Sequence, residues 1–198
     1  MNTSNTPVVT NIASDVAPHL PMEALTAGLD HIRQSPKTGG RIEMIQVRPE
    51  PKLRQLLETC ELSPEGGMHG DTWAIKCWKS LPDGRPDPSA QVTIMNTRLA
   101  QLVGGARELW PLAGDQLYAD LDLSYENLPV GQRLSVGTAV MEITPELHKG
   151  CAQFRARYGD AALRFISNEE GKRLNLRGIY AKVVQAGVVR VGDEIHKI

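Results

Sequence analysis

The chain has 198 residues, of which 41% are hydrophobic and 23% are charged, a mixture typical of a globular protein rather than a disordered or fibrous one. Its 22 Lys and Arg residues nearly balance 23 Asp and Glu residues, so no overall positive field favours nucleic acid as a partner. No apolar run reaches the ~18 residues that a membrane span needs, and the N-terminal residues lack a secretory-signal pattern. We therefore expect a cytoplasmic location, without a membrane or nucleic acid as partner.

The N-terminal part of the chain predicts a tail, a helix and then the start of a folded body. Residues 1–20 are small, polar and rich in Pro, and predict a flexible N-terminal tail. Residues 21–40 predict an N-terminal helix over 22–34 and a linker, because apolar residues recur there at three- and four-residue steps. A strand is predicted over 41–47. The same helical spacing at Leu53, Leu56, Leu57 and Cys60 predicts a helix over 51–62 with a buried Cys60.

Short strands dominate the rest of the prediction. Strands are indicated at 73–78, 91–95, 116–123, 178–184 and 188–191, with a hairpin over 133–144 that turns near Gly137. Asn96 and Thr97 predict the cap of a helix that runs to about 103. Two short helices are predicted at 151–157 and 160–166, divided at Tyr158 and Gly159. The fold class is therefore mainly β with short helices, most economically a curled or closed sheet.

One segment, 149–177, differs from its surroundings in charge. It carries seven basic residues against three acidic ones, whereas the whole chain has a net charge of −1. A basic concavity attracts phosphates and other oxyanions, although from charge alone a solvated helical face is the more usual explanation of such a charge run. The candidate anion-binding residues in this segment are Lys149, Arg155, Arg157, Arg173 and Arg177.

Of the three cysteines, Cys151 is the candidate for chemistry. The set Cys60, Cys77 and Cys151 is odd in number and contains no CxxC pair, which argues against a disulfide framework and a four-ligand zinc site. Cys151 lies at a predicted helix N-terminus beside basic residues, and both features favour the thiolate form. A thiolate is a nucleophile and a soft metal ligand.

Spacing leaves the partner of this thiolate open. His148, three residues earlier, would form a nucleophile and base pair only if its ring points at the sulfur, and no third member of a triad is evident. His69 and Asp71 would add metal ligands, but residues of these types in a turn-rich loop more often form turns. The absence of GxGxxG and GxxxxGK[ST] removes support for the common nucleotide-binding folds.

Three stretches carry a family resemblance. They are NLPVGQRLSVGTAVMEIT at 127–144, HKGCAQFRARYGDAALRF at 148–165 and LRGIYAKVVQAGVVRVGDEI at 176–195, with GGMHGDTW at 66–73 and QVTIMN at 91–96 upstream. Together they resemble the MOSC family, named for the C-terminal domain of molybdenum cofactor sulfurase. The resemblance implies a MOSC-type β-barrel over residues 41–198.

The resemblance also implies a role for the family cysteine, here Cys151. It would either bind the molybdenum of a molybdopterin cofactor or carry sulfur as a persulfide received from a cysteine desulfurase. Relatives similar to the amidoxime-reducing proteins reduce N-hydroxylated compounds, and this chain would need an external electron-donor protein to do so. Pyridoxal phosphate is a family label that belongs to the aminotransferase-like domain of longer sulfurases, for which this chain has no room. A non-catalytic module that binds an anionic small molecule through the basic segment is the remaining alternative.

Overall fold

The computed structural model describes residues 8–11 and 16–198. Most of the predicted tail over 1–20 therefore lies outside the described residues. Strand β1 (Val8–Asn11) falls within that tail and pairs antiparallel with a later strand, Leu53–Leu57. The predicted division at 21–40 and 41–198 stays a prediction, although the first strand of the barrel begins at its boundary, at Gly40.

Twelve strands and six α-helices form the described part of the chain. The strands after β1 are β2 (Gly40–Val47), β3 (Leu53–Leu57), β4 (Thr59–Ser63), β5 (Gly67–Met68), β6 (Val92–Asn96), β7 (Leu117–Asp120), β8 (Arg133–Val136), β9 (Ala139–Ile143), β10 (Ile179–Gln185), β11 (Gly187–Arg190) and β12 (Glu194–Lys197). The helices are α1 (Met22–Ala27), α2 (Leu29–Arg33), α3 (Trp73–Lys76), α4 (Thr97–Gly104), α5 (Ala152–Ser167) and α6 (Glu169–Arg173). Short 3-10 helices lie at Pro88–Ala90 and Arg107–Ala113.

Seven of these strands close into a barrel. Their order is β2, β12, β8, β9, β10, β6 and β7, and β7 pairs back onto β2. Every pairing in this ring is antiparallel except the one between β6 and β7. Strands β3 and β1 extend the sheet outward from β2, while β11, β4 and β5 form a separate three-stranded sheet. The predicted β-barrel with short helices is confirmed, with helices and strands of about equal content.

Two apolar clusters hold the fold together. The first fills the barrel with alternate residues of its strands, such as Ile42, Val92 and Met141, which are fully buried. The second packs α1, α2, α4 and α5 against the outside of the barrel, around Tyr118. The Tyr118 hydroxyl is buried and donates to the Trp110 carbonyl at 2.8 Å, so its burial leaves no unpaired donor. No helix in the described part has the length and apolar character to cross a bilayer.

Two predicted elements are wrong and one is interrupted. Residues 51–62 form strands β3 and β4 instead of a helix, since Cys60 and Leu62 alternate with exposed Glu61 and face the core. Residues 73–78 begin as helix α3 instead of a strand. The predicted helix over 22–34 is divided at Gly28 into α1 and α2.

Helix α5, which carries the candidate cysteine, has a kink where the sequence predicted a division. Gly159 adopts φ 90° and ψ 169° inside the helix, a left-handed conformation that favours glycine. A side chain there would also meet the ring of His19. Residues 17–19 therefore pack against this kink, and the Ala17 amide donates to the Arg157 carbonyl at 3.0 Å.

Candidate functional site

Cys151 is the exposed cysteine among the three. It is the N-cap residue of α5, and its carbonyl accepts the first helical hydrogen bond from the Arg155 amide at 3.0 Å. Cys60 is 3% exposed, which confirms its prediction as a core thiol, and Cys77 is half-buried. Exposure leaves the Cys151 sulfur accessible to a ligand.

This difference predicts a difference in alkylation. Burial raises the pKa of the Cys60 thiol to about 11, so the thiolate fraction of Cys60 near neutral pH is very small. With iodoacetamide at about pH 7.5, we expect Cys151 to be labelled more than about tenfold faster than Cys60. Peptide mass spectrometry over time measures both rates in one sample. Equal rates would contradict the packing described for Cys60, provided that circular dichroism shows the protein to be folded.

A cationic cavity of about 380 Å³ opens next to the start of α5. Five basic side chains line it, against one acidic side chain, Glu50, and three aromatic rings contribute to its walls. The basic residues are Arg48, Lys52, Arg54, Lys76 and Arg157, and the aromatic residues are Trp73, Trp78 and Tyr180. A pocket of this size and charge fits an anionic small molecule.

Arg54 is the unusual member of the cationic cavity. It is only 7% exposed, its Nη1 donates to the Leu53 carbonyl at 2.7 Å, and its Nε has no hydrogen-bond partner. Within residues 8–11 and 16–198, no carboxylate lies within ion-pair distance of its guanidinium. Burial, together with the nearby cations Arg157 and Arg48, lowers the pKa of Arg54 to about 10. A buried cation without a counter-ion is costly, and a bound anion would remove that cost.

Arg48, in contrast, is held by a protein carboxylate. Asp71 is fully buried and accepts from the backbone amide, Nε and Nη2 of Arg48 at 2.9 to 3.0 Å. It also accepts from the Trp73 amide at 3.0 Å, which fixes the start of α3 beside the cavity. Asp71 therefore fixes the positions of Arg48 and Trp73, both of which line the cavity. No group of three His, Cys, Asp or Glu side chains in the described ranges is arranged to hold a metal ion, so His69 and Asp71 do not complete such a set.

Helix α5 joins the cavity to the cysteine. Gln153 and Arg157, four residues apart on one face of α5, line the cationic cavity. The Arg157 guanidinium is anchored by a hydrogen bond from Nη1 to the Leu112 carbonyl at 2.5 Å. Cys151, the N-cap residue of α5, lies two residues before Gln153 in the chain but does not itself line the cavity.

A buried network lies under the segment that leads to Cys151. The carboxylate of Asp115, which is fully buried, pairs through Oδ2 with Nη1 of Arg177 at 2.7 Å, and its Oδ1 lies 3.3 Å from Nδ1 of His148. The Arg177 guanidinium also lies over the Phe154 ring at 5.3 Å. Burial lowers the pKa of His148 well below its usual value, and Arg177 and Arg48 add to this effect. His148 is therefore neutral at physiological pH.

The cysteine hydrolase alternative finds no support in this geometry. His148 faces Asp115, and within the described residues the Cys151 sulfur has no hydrogen bond to the imidazole. A nucleophile and base pair requires such contact.

The five predicted anion-binding residues do not meet in one place. Arg155 pairs with Asp160, and Arg173 pairs with Glu126 and Glu170, all on the surface. Arg177 is buried against Asp115, Lys149 borders a different cavity, and Arg157 alone faces the cationic cavity. Sequence reasoning missed Arg48, Lys52, Arg54 and Lys76. The one available signal was Arg54 inside the apolar run 53–57, where a charged residue is unusual.

A known domain family matches the C-terminal part of the chain. Residues 114–196 match the family model described as the MOSC domain, and this region contains Asp115, Cys151 and Arg177. The match covers less than half of the chain: it runs from just before β7 to β12, whereas Arg48 and Arg54 lie outside it.

Solved structures of other proteins share the fold of this chain at low sequence identity. The YuaD protein from Bacillus subtilis is 18% identical, with a TM-score of 0.59 over 79% of this chain and 93% of that one. YiiM from Geobacillus stearothermophilus is 15% identical, with a TM-score of 0.56 over 80% of this chain and 75% of that one. A search of curated proteins gave no match. At these identities the similarity concerns the fold alone.

Proposed function

We propose that this chain is a MOSC-domain protein that binds a molybdenum cofactor, with the Cys151 thiolate as the metal ligand and the cationic cavity as the site of the cofactor's phosphate. The observation that carries the proposal is an exposed cysteine at the N-cap of α5, two residues before Gln153 in the wall of a cavity with five basic side chains and one acidic one. Molybdopterin combines a soft metal, which prefers a thiolate, with a terminal phosphate, which prefers Arg and Lys.

The residues present fit both ends of such a group. Cys151 offers sulfur at the surface, and Arg54 offers a buried guanidinium whose Nε lacks a partner within the chain. Arg54, Arg157, Lys52 and Lys76 would hold the phosphate, and the rings of Trp73 and Trp78 would flank the pterin. Of the five phosphate-binding candidates predicted from the charge of 149–177, this proposal keeps only Arg157.

Arg177 and His148 determine the charge near this site. Arg177 carries a positive charge close enough to Cys151 to interact with it electrostatically. Neutral His148 neither adds charge nor supplies a proton at neutral pH. When bound, the cofactor would supply two-electron redox chemistry. The reaction class we assign is reduction of an N-hydroxylated small molecule to the amine and water, which consumes two protons and two electrons from a separate donor protein.

Metal analysis after expression in a host that makes molybdenum cofactor tests the proposal. We expect about one molybdenum per chain in the wild type and a loss of more than about tenfold in Cys151→Ser, because the serine hydroxyl is a poor ligand for a soft metal. Cys77→Ser is the matched control, since Cys77 also borders the cavity, and it should retain molybdenum. Equal molybdenum in wild type and Cys151→Ser would overturn the assignment, as would a loss confined to Cys77→Ser.

The exposure of Cys151 also favours a second candidate, a sulfur carrier. A desulfurase persulfide would transfer its outer sulfur to the Cys151 thiolate and leave as the desulfurase thiolate. Incubation with a cysteine desulfurase and cysteine, followed by mass spectrometry, should then show one added sulfur on wild type and none on Cys151→Ser. Sulfur loading without molybdenum would favour the carrier. If Cys151→Ser kept full affinity for an anionic ligand while both tests were negative, the non-catalytic binding module would be favoured.

A further inference from the structure

A second cavity lies on the other side of the segment that carries Cys151. It has a volume of about 390 Å³ and is bounded by residues 147–150, the end of α5 and helix α6. It shares no lining residue with the cationic cavity. Its volume is within the range of ~300 to 1,000 Å³ that is usual for small-molecule sites.

The walls of this second cavity are largely apolar. Leu147 and Tyr125 are 52% and 41% exposed, which is unusual for large side chains of these types, and they lie at its edge beside Ile166. Gly150 forms part of the wall, and a side chain there would overlap Leu163. The absence of a side chain at Gly150 thus lets the segment before Cys151 lie directly against α5. An apolar or aromatic body fits between these walls.

The charged groups of the cavity are all basic. Lys149, Lys172 and Arg177 line it together with His148, and no acidic residue does. Across the described ranges, neither lysine lies within ion-pair distance of a carboxylate. Arg177, which also lines the cavity, is about nine-tenths buried, and its Nε has no hydrogen-bond partner within the described residues. An unpaired buried donor in a concave site indicates an absent acceptor.

We infer that the second cavity binds an organic carboxylate with an aromatic or aliphatic body, held through its charge by Lys149 and Lys172 and through its body by Leu147, Tyr125 and Ile166. A free oxyanion such as phosphate fits this site poorly, because it would leave the apolar walls uncovered. The inference does not depend on the molybdenum cofactor, since the two cavities are separate.

Calorimetric titration of the purified full chain with 3-phenylpropionate tests the inference, with 3-phenylpropanamide as the uncharged probe. We expect the acid to bind and the amide to bind at least about tenfold more weakly, because the amide cannot pair with the lysines. Equal affinity for acid and amide would overturn the role of charge, and no binding of the acid would overturn the site.

Paired lysine variants locate the site. The double variant Lys149→Ala with Lys172→Ala should weaken binding of 3-phenylpropionate by about tenfold or more. The matched control, Lys52→Ala with Lys76→Ala, removes two lysines from the cationic cavity and should leave the affinity unchanged. The reverse pattern would place the acid in the cationic cavity and overturn the inference. Tyr125→Ala changes an exposed residue and so keeps the fold intact, and it should weaken binding several-fold through lost apolar contact. Unchanged affinity in that variant would contradict the proposed binding of the ligand body.

Discussion

Replacing Arg177 by Met is expected to lower the free energy of unfolding by about 3 to 5 kcal/mol, because it leaves the buried Asp115 carboxylate without its counter-ion. The 2.7 Å contact between Arg177 Nη1 and Asp115 Oδ2 is buried on both sides, so water cannot replace the missing partner. Urea denaturation at neutral pH measures the change. Arg173→Met is the matched control on the surface, and its loss should stay below about 1 kcal/mol.

The same variant should have a characteristic pH dependence. Burial raises the pKa of Asp115 above its usual value, and Arg177 and Arg48 act against this rise. Removing Arg177 raises the folded-state pKa further, so the folded state binds more protons than the unfolded state and loses stability as the pH rises. The deficit of Arg177→Met should therefore be smaller at about pH 5 than at about pH 8. A second variant, Asp115→Asn with Arg177→Met, should be more stable than Arg177→Met alone. A deficit independent of pH and of Asp115 would show that lost packing, not charge, dominates.

Arg54→Met should have the opposite effect on stability and a large effect on binding. Because Arg54 is buried without a carboxylate partner, Met in its place should raise the free energy of unfolding by about 1 to 2 kcal/mol near pH 7. The folded-state pKa of about 10 lies below the ordinary pKa of an arginine, so the wild type gains stability as the pH rises above about 10. The advantage of the variant should shrink there.

Phosphate provides the binding measurement for the same residue. A ligand that binds only the folded state stabilises it in proportion to the logarithm of its concentration. Added phosphate should raise the Tm of the wild type, and Arg54→Met should lose most of this rise. Arg133→Met, on the exposed outside of the barrel, should retain it. If Arg54→Met were strongly destabilised, or if it responded to phosphate as the wild type does, Arg54 would have a structural role instead.

Local signals were sufficient to predict much of the barrel. The hairpin of β8 and β9 turns at Gly137, and Asn96 caps α4 by accepting from the Arg98 and Leu99 amides at 2.8 and 3.1 Å. The division of α5 at Gly159 was equally local. The prediction of a helix over 51–62 failed because Leu53, Leu56, Leu57 and Cys60 have helical spacing, whereas β3 pairs with β1 and β2 on its two sides and β4 pairs with β11, which is distant in sequence. Tertiary pairing outweighed a local pattern there.

The site was predictable only in part, for a related reason. Cys151 could be predicted because the two features that single it out, a helix N-terminus and adjacent basic residues, lie within a few residues of it in the sequence. The charge excess of 149–177 did not locate the cationic cavity, since Arg173 and Arg177 are paired with the distant acids Glu126 and Asp115. The cationic cavity depends on Arg48 and Arg54, which are distant from α5 in sequence. Only the folding of the barrel brings them next to this helix. Charge counted along a sequence thus says little about charge left unpaired in a cavity.

The position of β12 in the barrel has a consequence for how the chain folds during synthesis. β12 lies between β2 and β8, and its residues Glu194 and Ile195 pair with Arg41 and Gly40. Closure of the barrel therefore pairs two strands that are about 150 residues apart in sequence. Such a pairing is slow to form because a long stretch of chain lies between the two strands. While the nascent chain is still in the ribosome, β2 and β8 keep open edges that other strands can pair with. Efficient folding thus depends on protecting the edges of β2 and β8 until β12 has been synthesised and can pair with them. We expect the dependence on chaperones to be greatest before β12 is available.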